Sequence, residues 1–295
     1  MNWSTLENSA SRSGQNIIVV AGADGDEVYE ALRLAQDKGL ARPLLVGDPA
    51  RCRELSKAHG LDPVDIVSAA NDEQAARGAI GALSAGKASL LMKGMVSTSV
   101  LLKALVAEKS LFKAGQLLSH ILMVENPEGR LLGVTDGGMN PAPDLAQKAA
   151  ILRNAVNLFN RLGVAEPRVA VLAANEKHDP RIPGSDDAHA LQNMAAEGAF
   201  PGCVVAGPIA LDLALLPKAA ELKGYTGTIR GNADILLAHD ISAGNYLGKA
   251  MINLAGWPGG GMIAGALVPV ILLSRSDSSG EKYRSILLAL AGGGA

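Results

Sequence analysis

Short apolar runs alternate with longer amphipathic stretches along most of this chain, and few folds accommodate such an alternation. The runs "NIIVVAGAD" (16–24), "RPLLVGDP" (42–49) and "SLLMKG" (89–94) each precede a stretch with the helical spacing of apolar residues. Continuous apolar strands separated by helices are typical of a mainly parallel sheet that is covered on both faces. The sequence therefore predicts an α/β fold with mainly parallel sheets in an α/β/α sandwich.

The middle of the chain interrupts this alternation. The apolar runs "HILMVEN" and "LLGVTDG" are separated only by "PEGR", which is a turn signal, so a hairpin is expected there. A long amphipathic stretch follows and ends near Gly163, and strands alternate with helices again from residue 168. This pattern predicts two α/β lobes that are joined near residues 138–143.

Composition excludes several classes of function. The chain has 295 residues, a formal net charge of −2 and no long basic run, so it lacks the electrostatic footprint of a nucleic-acid-binding protein. Aromatic residues make up only 3% of the chain, which argues against platforms for base stacking. No stretch reaches about 18 uninterrupted apolar residues, so no transmembrane helix is expected.

The start of the chain and its cysteines point to the cytoplasm. The polar segment "MNWSTLENSASRSGQN" has no apolar region of the kind found in signal peptides, and residues 1–15 are expected to be a frayed lead-in or a short helix. Cys52 and Cys203 lie far apart and form neither a CxxC pair nor a disulfide framework. We therefore expect a protein of the reducing cytoplasm.

Two other patterns in the sequence give only weak functional signals. The loop "AGADGDEV" (21–28) follows a strand and opens a helix, but it lacks the GxGxxG spacing of a dinucleotide site. A tight turn with Asp24 or Asp26 as helix cap explains it more simply. The histidines, among them His178 and His189, show no spacing typical of a compact metal site, so no metal is expected.

Polar residues directly after apolar runs are the main candidates for a site, because ligands of open α/β sheets collect beyond the carboxyl ends of the strands. Lys93 ends one strand, and Ser97 and Thr98 open the next helix, where hydroxyls and free N–H groups favour an oxyanion such as phosphate. Ordinary helix capping explains the two hydroxyls equally well. Further candidates follow later strands: Asp136, Asn140 and Asn245.

The segment "PVILLSRSDSSGEKY" carries the strongest of these signals. Arg275 follows an apolar strand directly and offers a planar fork of donors that suits phosphate, while Ser274 can hydrogen-bond a ligand oxygen. Ser278 and Glu281 fit the S-x-x-E pattern of a capping box, which is the structural alternative for both. Asp277 is explained equally simply as a turn residue.

Several long motifs, in the same order, resemble the phosphate acetyl/butyryltransferase family, and most closely its phosphate butyryltransferase branch. The resemblance runs from about residue 88 to the end of the chain and is weaker before that. The motifs are "LLMKGMVSTSVLLKAL", "LLSHILMVENP", "VTDGGMNPAPDLAQK", "GPIALD", "ADILLAHDISAGNYLGKAM" and "PVILLSRSDSSGEKYRSILLAL".

The resemblance implies transfer of an acyl group between coenzyme A and inorganic phosphate, which gives an acyl phosphate. It implies an isocitrate-dehydrogenase-like architecture in which residues 1–140 and 266–295 form one lobe and residues 141–265 the other, with the active-site cleft between them. It also implies a homo-oligomer, a dimer or larger, with acyl-CoA and phosphate as substrates, no membrane partner, and no metal or other cofactor. A short-chain acyl group, butyryl or branched before acetyl, is expected.

The resemblance also implies roles for individual residues. Ser274 and Arg275 match the family's Ser-Arg pair, and Glu281 stands where acetyl members have an aspartate that is thought to deprotonate the thiol of coenzyme A. Asp277 is the rival for that role. No clear equivalents of the acetyl members' phosphate-binding arginines are found, so Lys93 or Lys103 is expected to substitute. The expected substrate-binding residues are Lys93, Ser97, Thr98, Lys103, Asp136, Asn140 and Asn245.

Two other functions stay open at this point. The first is an NAD- and metal-dependent dehydrogenase of the same architecture, which "AGADGDEV" supports slightly. The second is a degenerate relative that binds acyl-CoA without turnover.

Overall fold

The computed structural model describes residues 1–11, 16–112, 115–272, 274 and 277–293. The chain divides into two compact units. The terminal unit comprises Asn2–Gln116 and Gly260–Ala295, and the middle unit comprises Leu117–Gly259 together with Met1.

The strands lie close to the predicted apolar runs. They are β1 (Asn16–Ala21), β2 (Ala41–Gly47), β3 (Asp65–Ser68), β4 (Leu90–Lys93), β5 (Ser119–Glu125), β6 (Leu131–Thr135), β7 (Arg168–Leu172), β8 (Val204–Ile209), β9 (Ile235–Leu237), β10 (Gly259–Ala264) and β11 (Val270–Ile271).

Helices occupy most of the amphipathic stretches between them. They are α1 (Trp3–Ala10), α2 (Tyr29–Asp37), α3 (Pro49–His59), α4 (Asp72–Ser84), α5 (Thr98–Ala107), α6 (Leu145–Arg161), α7 (Ser185–Ala196), α8 (Leu211–Leu215), α9 (Pro217–Leu222), α10 (Ile241–Lys249) and α11 (Ser279–Gly292). A π-helical turn, Ala250–Leu254, continues α10.

Strands of the terminal unit follow the order β3-β2-β1-β4-β11-β10. The pairs β2–β3, β1–β2, β1–β4 and β4–β11 are parallel, and only β10 and β11 pair antiparallel among the pairings described here. Tyr29, Leu45, Met92 and Ile286 are fully buried members of one apolar cluster in this unit. The prediction of an α/β fold with a mainly parallel sheet is confirmed.

The middle unit has the strand order β5-β6-β9-β7-β8. β5 and β6 form the predicted antiparallel hairpin, while β6–β9, β7–β9 and β7–β8 are parallel. The resemblance implies lobe boundaries after residues 140 and 265, whereas the chain passes from one unit to the other at 116/117 and 259/260. The hairpin accounts for the earlier first boundary, because β6 pairs with β9 and so belongs to the middle unit.

Local sequence signals fix the helix ends. α3 starts with Pro49 after Asp48, whose carboxylate accepts a hydrogen bond from the N–H of Arg51 at 2.8 Å, and it ends at Gly60 in the left-handed region (φ 64°). In α6, Asp144 and Gln147 form a reciprocal capping box. Such caps explain why helices begin directly after strand-end turns, where candidate site residues lie.

The first helix is ordered by its own cap and by burial. The Asn2 side chain accepts a hydrogen bond from the N–H of Thr5 at 2.9 Å, and Trp3, Leu6 and Ala10 are buried. Of the two expectations for residues 1–15, a short helix therefore holds for Trp3–Ala10, and residues 12–15 lie outside the described part of the chain. The isocitrate-dehydrogenase-like architecture stays a prediction.

Candidate active site

The ends of β1 and β4 are held together by glycine backbone. Gly22 adopts a φ of +72°, and a Cβ there would lie 2.6 Å from the backbone nitrogen of Val96. A Cβ on Gly94 would lie 2.2 Å from the carbonyl oxygen of Gly22, and the N–H of Met95 donates to that oxygen at 2.7 Å. Because no larger residue fits at these two positions, the loop after Lys93 is fixed against the loop after β1.

This packing gives the glycines of "AGADGDEV" a structural role. The Asp24 carboxylate accepts the N–H of Asp48 at 2.6 Å, and Asp26 lies 2.6 Å from Nε2 of His59. Gly25 precedes a single turn of 3-10 helix, Asp26–Val28, and has no side chain to cap it. The predicted capping by Asp24 or Asp26 is therefore not seen, since both carboxylates face other partners.

Lys93 and Ser274 line one small pocket in the terminal unit. β4 and β11 pair in parallel, so the residues that follow them lie at the same edge of the sheet. Lys93 is 7% exposed, and its Nζ donates to the carbonyl oxygen of Gly94 at 3.1 Å. We call this the strand-end pocket; its described lining residues are Glu27, Val28, Lys93, Gly94, Met95, Ser274 and Lys282.

The turn after β11 is closed by Asp277. Its carboxylate accepts the backbone N–H of Ser274 at 2.8 Å, and its own N–H donates to the Ser274 carbonyl oxygen at 3.2 Å. Ser274 is exposed. Arg275, on which the sequence-based prediction depends most, lies outside the described residues.

Glu281 completes the capping box of α11. Its Oε2 accepts the N–H of Ser278 at 2.8 Å and the Ser278 hydroxyl at 2.6 Å, and Ser278 Oγ accepts the N–H of Glu281 at 3.2 Å. Both of these bonds use Oε2, so the capping box leaves the second carboxylate oxygen of Glu281 able to accept a proton. Since Asp277 also holds a backbone N–H, both candidates for the base have structural hydrogen bonds.

Lys282 is a member of this site that the sequence prediction missed. It is 3% exposed, and its Nζ donates to the carbonyl oxygen of Asp277. A usable signal was present, because Lys282 shares a helical stripe with Ile286, Ala289 and Leu290, all of which are buried. A lysine in an otherwise apolar stripe is a buried charge and calls for an explanation.

The start of α5 is less enclosed. Ser97 and Thr98 are exposed, and no side chain caps the helix at Ser97. The backbone N–H of Ser97 donates instead to the Asp72 carboxylate at 2.8 Å. Lys103 lies exposed farther along the same helix and does not line the strand-end pocket.

In the middle unit, Asp136 organises a tight turn after β6. It is 2% exposed, and its Oδ1 accepts the N–H groups of Gly138 and Met139, each at 2.8 Å. Its Oδ2 accepts the Asn140 side-chain amide at 2.6 Å, and that amide also donates to the Leu118 carbonyl oxygen at 2.9 Å. We call residues 136–140 the Asp136 turn.

Asn245 joins the Asp136 turn from α10. Its side-chain amide donates to the Gly137 carbonyl oxygen at 3.1 Å. A Cβ on Gly244 would lie 2.7 Å from the Asp136 carbonyl oxygen, so helix and turn are in close backbone contact. The structure thus brings Asp136, Asn140 and Asn245 together, as expected for three members of one site, but gives each an internal partner.

The histidines flagged in the sequence form polar pairs. His178 lies 2.7 Å from the Asp186 carboxylate and stacks on His189 with ring centroids 4.6 Å apart. Within the described ranges, no group of three or more His, Cys, Asp or Glu side chains is arranged to hold a metal ion. A search of the same ranges finds no helix with the length and apolar character needed to cross a membrane.

Comparison with known proteins decides the family. The family model described as "Phosphate acetyl/butaryl transferase" matches residues 64–290. The chain belongs to the phosphate acetyl/butyryl transferase family. The resemblance read from the sequence motifs is thereby confirmed.

Individual members of the phosphate acetyl/butyryl transferase family are similar over nearly their whole length. A probable phosphate butyryltransferase of Bacillus subtilis is 40% identical over 98% of this chain and 97% of its own. A phosphate butyryltransferase of Clostridium acetobutylicum is 38% identical over 92% of this chain and 91% of its own. The crystal structure of a branched-chain phosphotransacylase from Enterococcus faecalis superposes with a TM-score of 0.83 at 30% identity, covering 94% of this chain and 98% of that one.

Proposed function

We propose that this chain moves a short-chain acyl group between coenzyme A and inorganic phosphate. The family match over residues 64–290 carries this proposal. Two relatives that align with more than nine-tenths of the chain are named probable phosphate butyryltransferase and phosphate butyryltransferase, and another is named phosphate acetyltransferase. The family match gives no support to the dehydrogenase alternative.

The proposed reaction needs only groups that the chain supplies. A phosphate oxygen attacks the thioester carbonyl carbon, and a tetrahedral oxyanion forms. As this intermediate collapses, the C–S bond breaks and the departing sulfur accepts a proton, which gives the acyl phosphate and free coenzyme A. In this proposal Arg275 neutralises the oxyanion, Ser274 orients a ligand oxygen, and Glu281 or Asp277 exchanges the proton with the thiol.

The proposal also assigns substrate-binding roles to individual residues. Lys93, in the strand-end pocket, holds phosphate in this proposal, and Ser97, Thr98 and Lys103 contribute to binding of phosphate or coenzyme A. Asp136, Asn140 and Asn245 are also proposed to bind substrate. Their hydrogen bonds within the protein support the alternative, which is a purely structural role. The proposal includes no cofactor, and acyl transfer needs no redox group because it changes no oxidation state.

We propose butyryl-CoA or a branched acyl-CoA as the preferred substrate. Two relatives are named for butyryl transfer, and the Enterococcus faecalis structure is of a branched-chain phosphotransacylase. We further propose a homo-oligomer in the cytoplasm. Cys52 and Cys203 are free thiols, which suit a reducing compartment.

An acyl-CoA series tests this function. The purified protein is mixed with acetyl-, butyryl- and isobutyryl-CoA, with and without phosphate, and free thiol is followed with a chromogenic disulfide. We expect phosphate-dependent thiol release, fastest with the butyryl or branched substrate. Tight binding of acyl-CoA without thiol release would favour the non-catalytic relative, and formation of NADH from a hydroxy acid would favour the dehydrogenase.

A further inference from the structure

A cavity of about 320 Å³ lies at the carboxyl ends of β7 and β9 in the middle unit. These two strands are parallel neighbours, so the residues that follow them lie at one edge of the sheet. The volume is at the lower end of the range of about 300–1,000 Å³ that is usual for small-molecule sites. We call this the β7–β9 cavity; its described lining residues are Leu172, Ala173, Ala174, Ile182, Pro183 and His239.

The lining of the β7–β9 cavity is mostly apolar. Apart from His239, whose Nε2 lies 3.3 Å from the Asp240 carboxylate, the described lining residues carry aliphatic side chains. None of these described lining residues carries an ammonium, guanidinium or carboxylate group, so the cavity offers little to a phosphate. Such a lining suits a short uncharged hydrocarbon chain, because each methylene group that leaves water contributes favourably.

Hydrogen bonds within the protein fix the walls of the cavity. The N–H of Ala173 donates to the carbonyl oxygen of Ile209 in β8 at 3.1 Å, which holds the end of β7. In the loop before α7, the N–H of Ile182 donates to the Asp179 carbonyl oxygen at 2.9 Å. The N–H of Asp179 donates in turn to the hydroxyl of the buried Ser185 at 3.0 Å. Both walls are therefore formed before any ligand binds.

Gly184 brings the loop before α7 close to His239. Its φ is +81°, and a Cβ there would lie 2.4 Å from Cβ of His239. Only glycine permits both this backbone conformation and this approach. The wall formed by Ile182 and Pro183 thus depends on a glycine at position 184.

The β7–β9 cavity lies at the same edge of the sheet as the Asp136 turn. β6 pairs with β9 in parallel, and the N–H of Ala238 donates to the Thr135 carbonyl oxygen at 2.7 Å, so the residues after β6 and β9 are neighbours. His239 directly precedes the N-cap of α10, the helix that carries Asn245. The cavity and the proposed substrate-binding residues of the middle unit therefore share one edge of the sheet.

We propose that the β7–β9 cavity receives the acyl chain of the acyl-CoA substrate and that Ala173 and Ala174 set the length it accepts. This inference rests on the proposed function, and it adds residues for acyl selectivity that the sequence motifs did not indicate. An acetyl group brings only a methyl group to the aliphatic walls. A butyryl or isobutyryl group brings two further carbons, so these substrates are favoured over acetyl.

Variants that fill or enlarge the cavity test this assignment. Ala173→Leu fills part of the cavity. We expect it to lower kcat/KM for butyryl-CoA about tenfold or more and to change kcat/KM for acetyl-CoA much less, because the additional carbons lose their contacts. Ile182→Ala enlarges the cavity and should raise kcat/KM for hexanoyl-CoA relative to butyryl-CoA. Equal losses for acetyl-CoA and butyryl-CoA in Ala173→Leu would overturn the inference.

Ala196→Leu is the matched control, because it makes the same change at an exposed position at the end of α7. It should leave the ratio of kcat/KM for butyryl-CoA to that for acetyl-CoA unchanged. If Ala173→Leu did not fold, Ala174→Leu would carry the comparison, since Ala174 is an exposed lining residue at which a larger side chain is tolerated more easily. An unchanged ratio in the folded cavity variant would show that the acyl chain binds elsewhere.

A binding measurement separates this inference from the proposed function. Titration calorimetry in the absence of phosphate gives the affinities for acetyl-CoA and butyryl-CoA. We expect the unaltered protein to bind butyryl-CoA about tenfold more tightly, and Ala173→Leu to remove most of that difference. If the unaltered protein released no thiol from any acyl-CoA, the proposed function would fail, while a difference in affinity that Ala173→Leu removes would still support the cavity. A difference that Ala173→Leu leaves intact would overturn the inference alone.

Discussion

The strand-end pocket and the Asp136 turn look alike in sequence and differ in structure. Each places polar residues directly after a buried strand. At the Asp136 turn, the carboxylate accepts hydrogen bonds from two backbone N–H groups and one side-chain amide, so its hydrogen-bonding capacity is met within the protein. At the pocket, two buried lysines donate to carbonyl oxygens of Gly94 and Asp277.

This contrast gives a physical basis for ranking polar residues at strand ends. A buried carboxylate that organises its own turn is explained by folding alone, because leaving its partners unpaired is costly. The buried charge of Lys282, which donates to the neutral carbonyl oxygen of Asp277, is less well explained by folding. The terminal unit is therefore the stronger candidate for anion binding.

Removal of the Arg275 guanidinium should have the largest effect of all the substitutions. We expect Arg275→Ala to lower phosphate-dependent release of coenzyme A by about 100-fold or more, as loss of one good oxyanion donor does. The far-UV spectrum and the Tm should stay near those of the unaltered protein. Arg181→Ala, at a side chain that is 89% exposed, is the control; near-normal turnover in Arg275→Ala would remove the residue from the mechanism.

Removal of the general base should lower kcat. We expect one of the variants Glu281→Gln and Asp277→Asn to lower kcat by about 100-fold or more, since general-base catalysis contributes about 10²–10⁴-fold. The other should keep its rate. Steady-state thiol release on both variants measures this, and two variants with unimpaired kcat would show that neither carboxylate is the base.

Substitution of Asp136 should lower the free energy of unfolding. Asp136→Ala leaves two backbone N–H groups and the Asn140 amide without their buried acceptor, so we expect about 3 kcal/mol less free energy of unfolding. Urea unfolding measures the loss, and Asp136→Asn, which keeps one accepting oxygen, should lose less. A variant of normal stability with a raised KM for either substrate would reverse the comparison and make this turn the ligand site.

The capping box of α11 should give a smaller change. Ser278→Ala removes the N-cap hydroxyl and should cost about 1 kcal/mol. Glu281→Gln should stay within about 0.5 kcal/mol, because glutamine also completes a capping box. Urea midpoints of the two variants check this order, and a larger loss in Glu281→Gln than in Ser278→Ala would show that Glu281 has a further partner.

Thiol labelling compares the two units with the least perturbation. Burial raises the pKa of the Cys52 thiol in the terminal unit to about 11. Burial also raises the pKa of Cys203 in the middle unit, but Cys203 is partly exposed, so it should react first with a thiol reagent at pH 8. Faster labelling of Cys52 would show that the terminal unit opens more readily than the middle unit.

The raised pKa of Cys52 also predicts that the stability of the protein depends on pH. A raised thiol pKa means that the folded state holds this proton more tightly than the unfolded state does. The contribution of Cys52 is therefore complete below the unfolded pKa and is lost as pH rises toward about 11. Urea midpoints measured from pH 8 to pH 10.5 should fall less in Cys52→Ala than in the unaltered protein.

Apolar periodicity was sufficient to predict the strands, because continuous buried runs are visible without tertiary information. It could not place the unit boundary, since nothing local shows that β6 pairs with β9, about 100 residues later in the chain. The hydrogen bonds of Asp136 also depend on a turn whose backbone path the sequence does not show. Lys282 was missed because a charged residue within a helix is usually assigned to the solvent face.

One contact between α1 and α11 bears on how the protein should be handled. The Tyr283 hydroxyl donates to the Glu7 carboxylate at 3.0 Å, and α1 packs against α11, so the first helix supports the one that carries Lys282. Trimming the first eleven residues would strip this support and uncover apolar side chains of α11. An affinity tag therefore belongs ahead of an intact Met1, joined by a flexible linker, and not in place of α1.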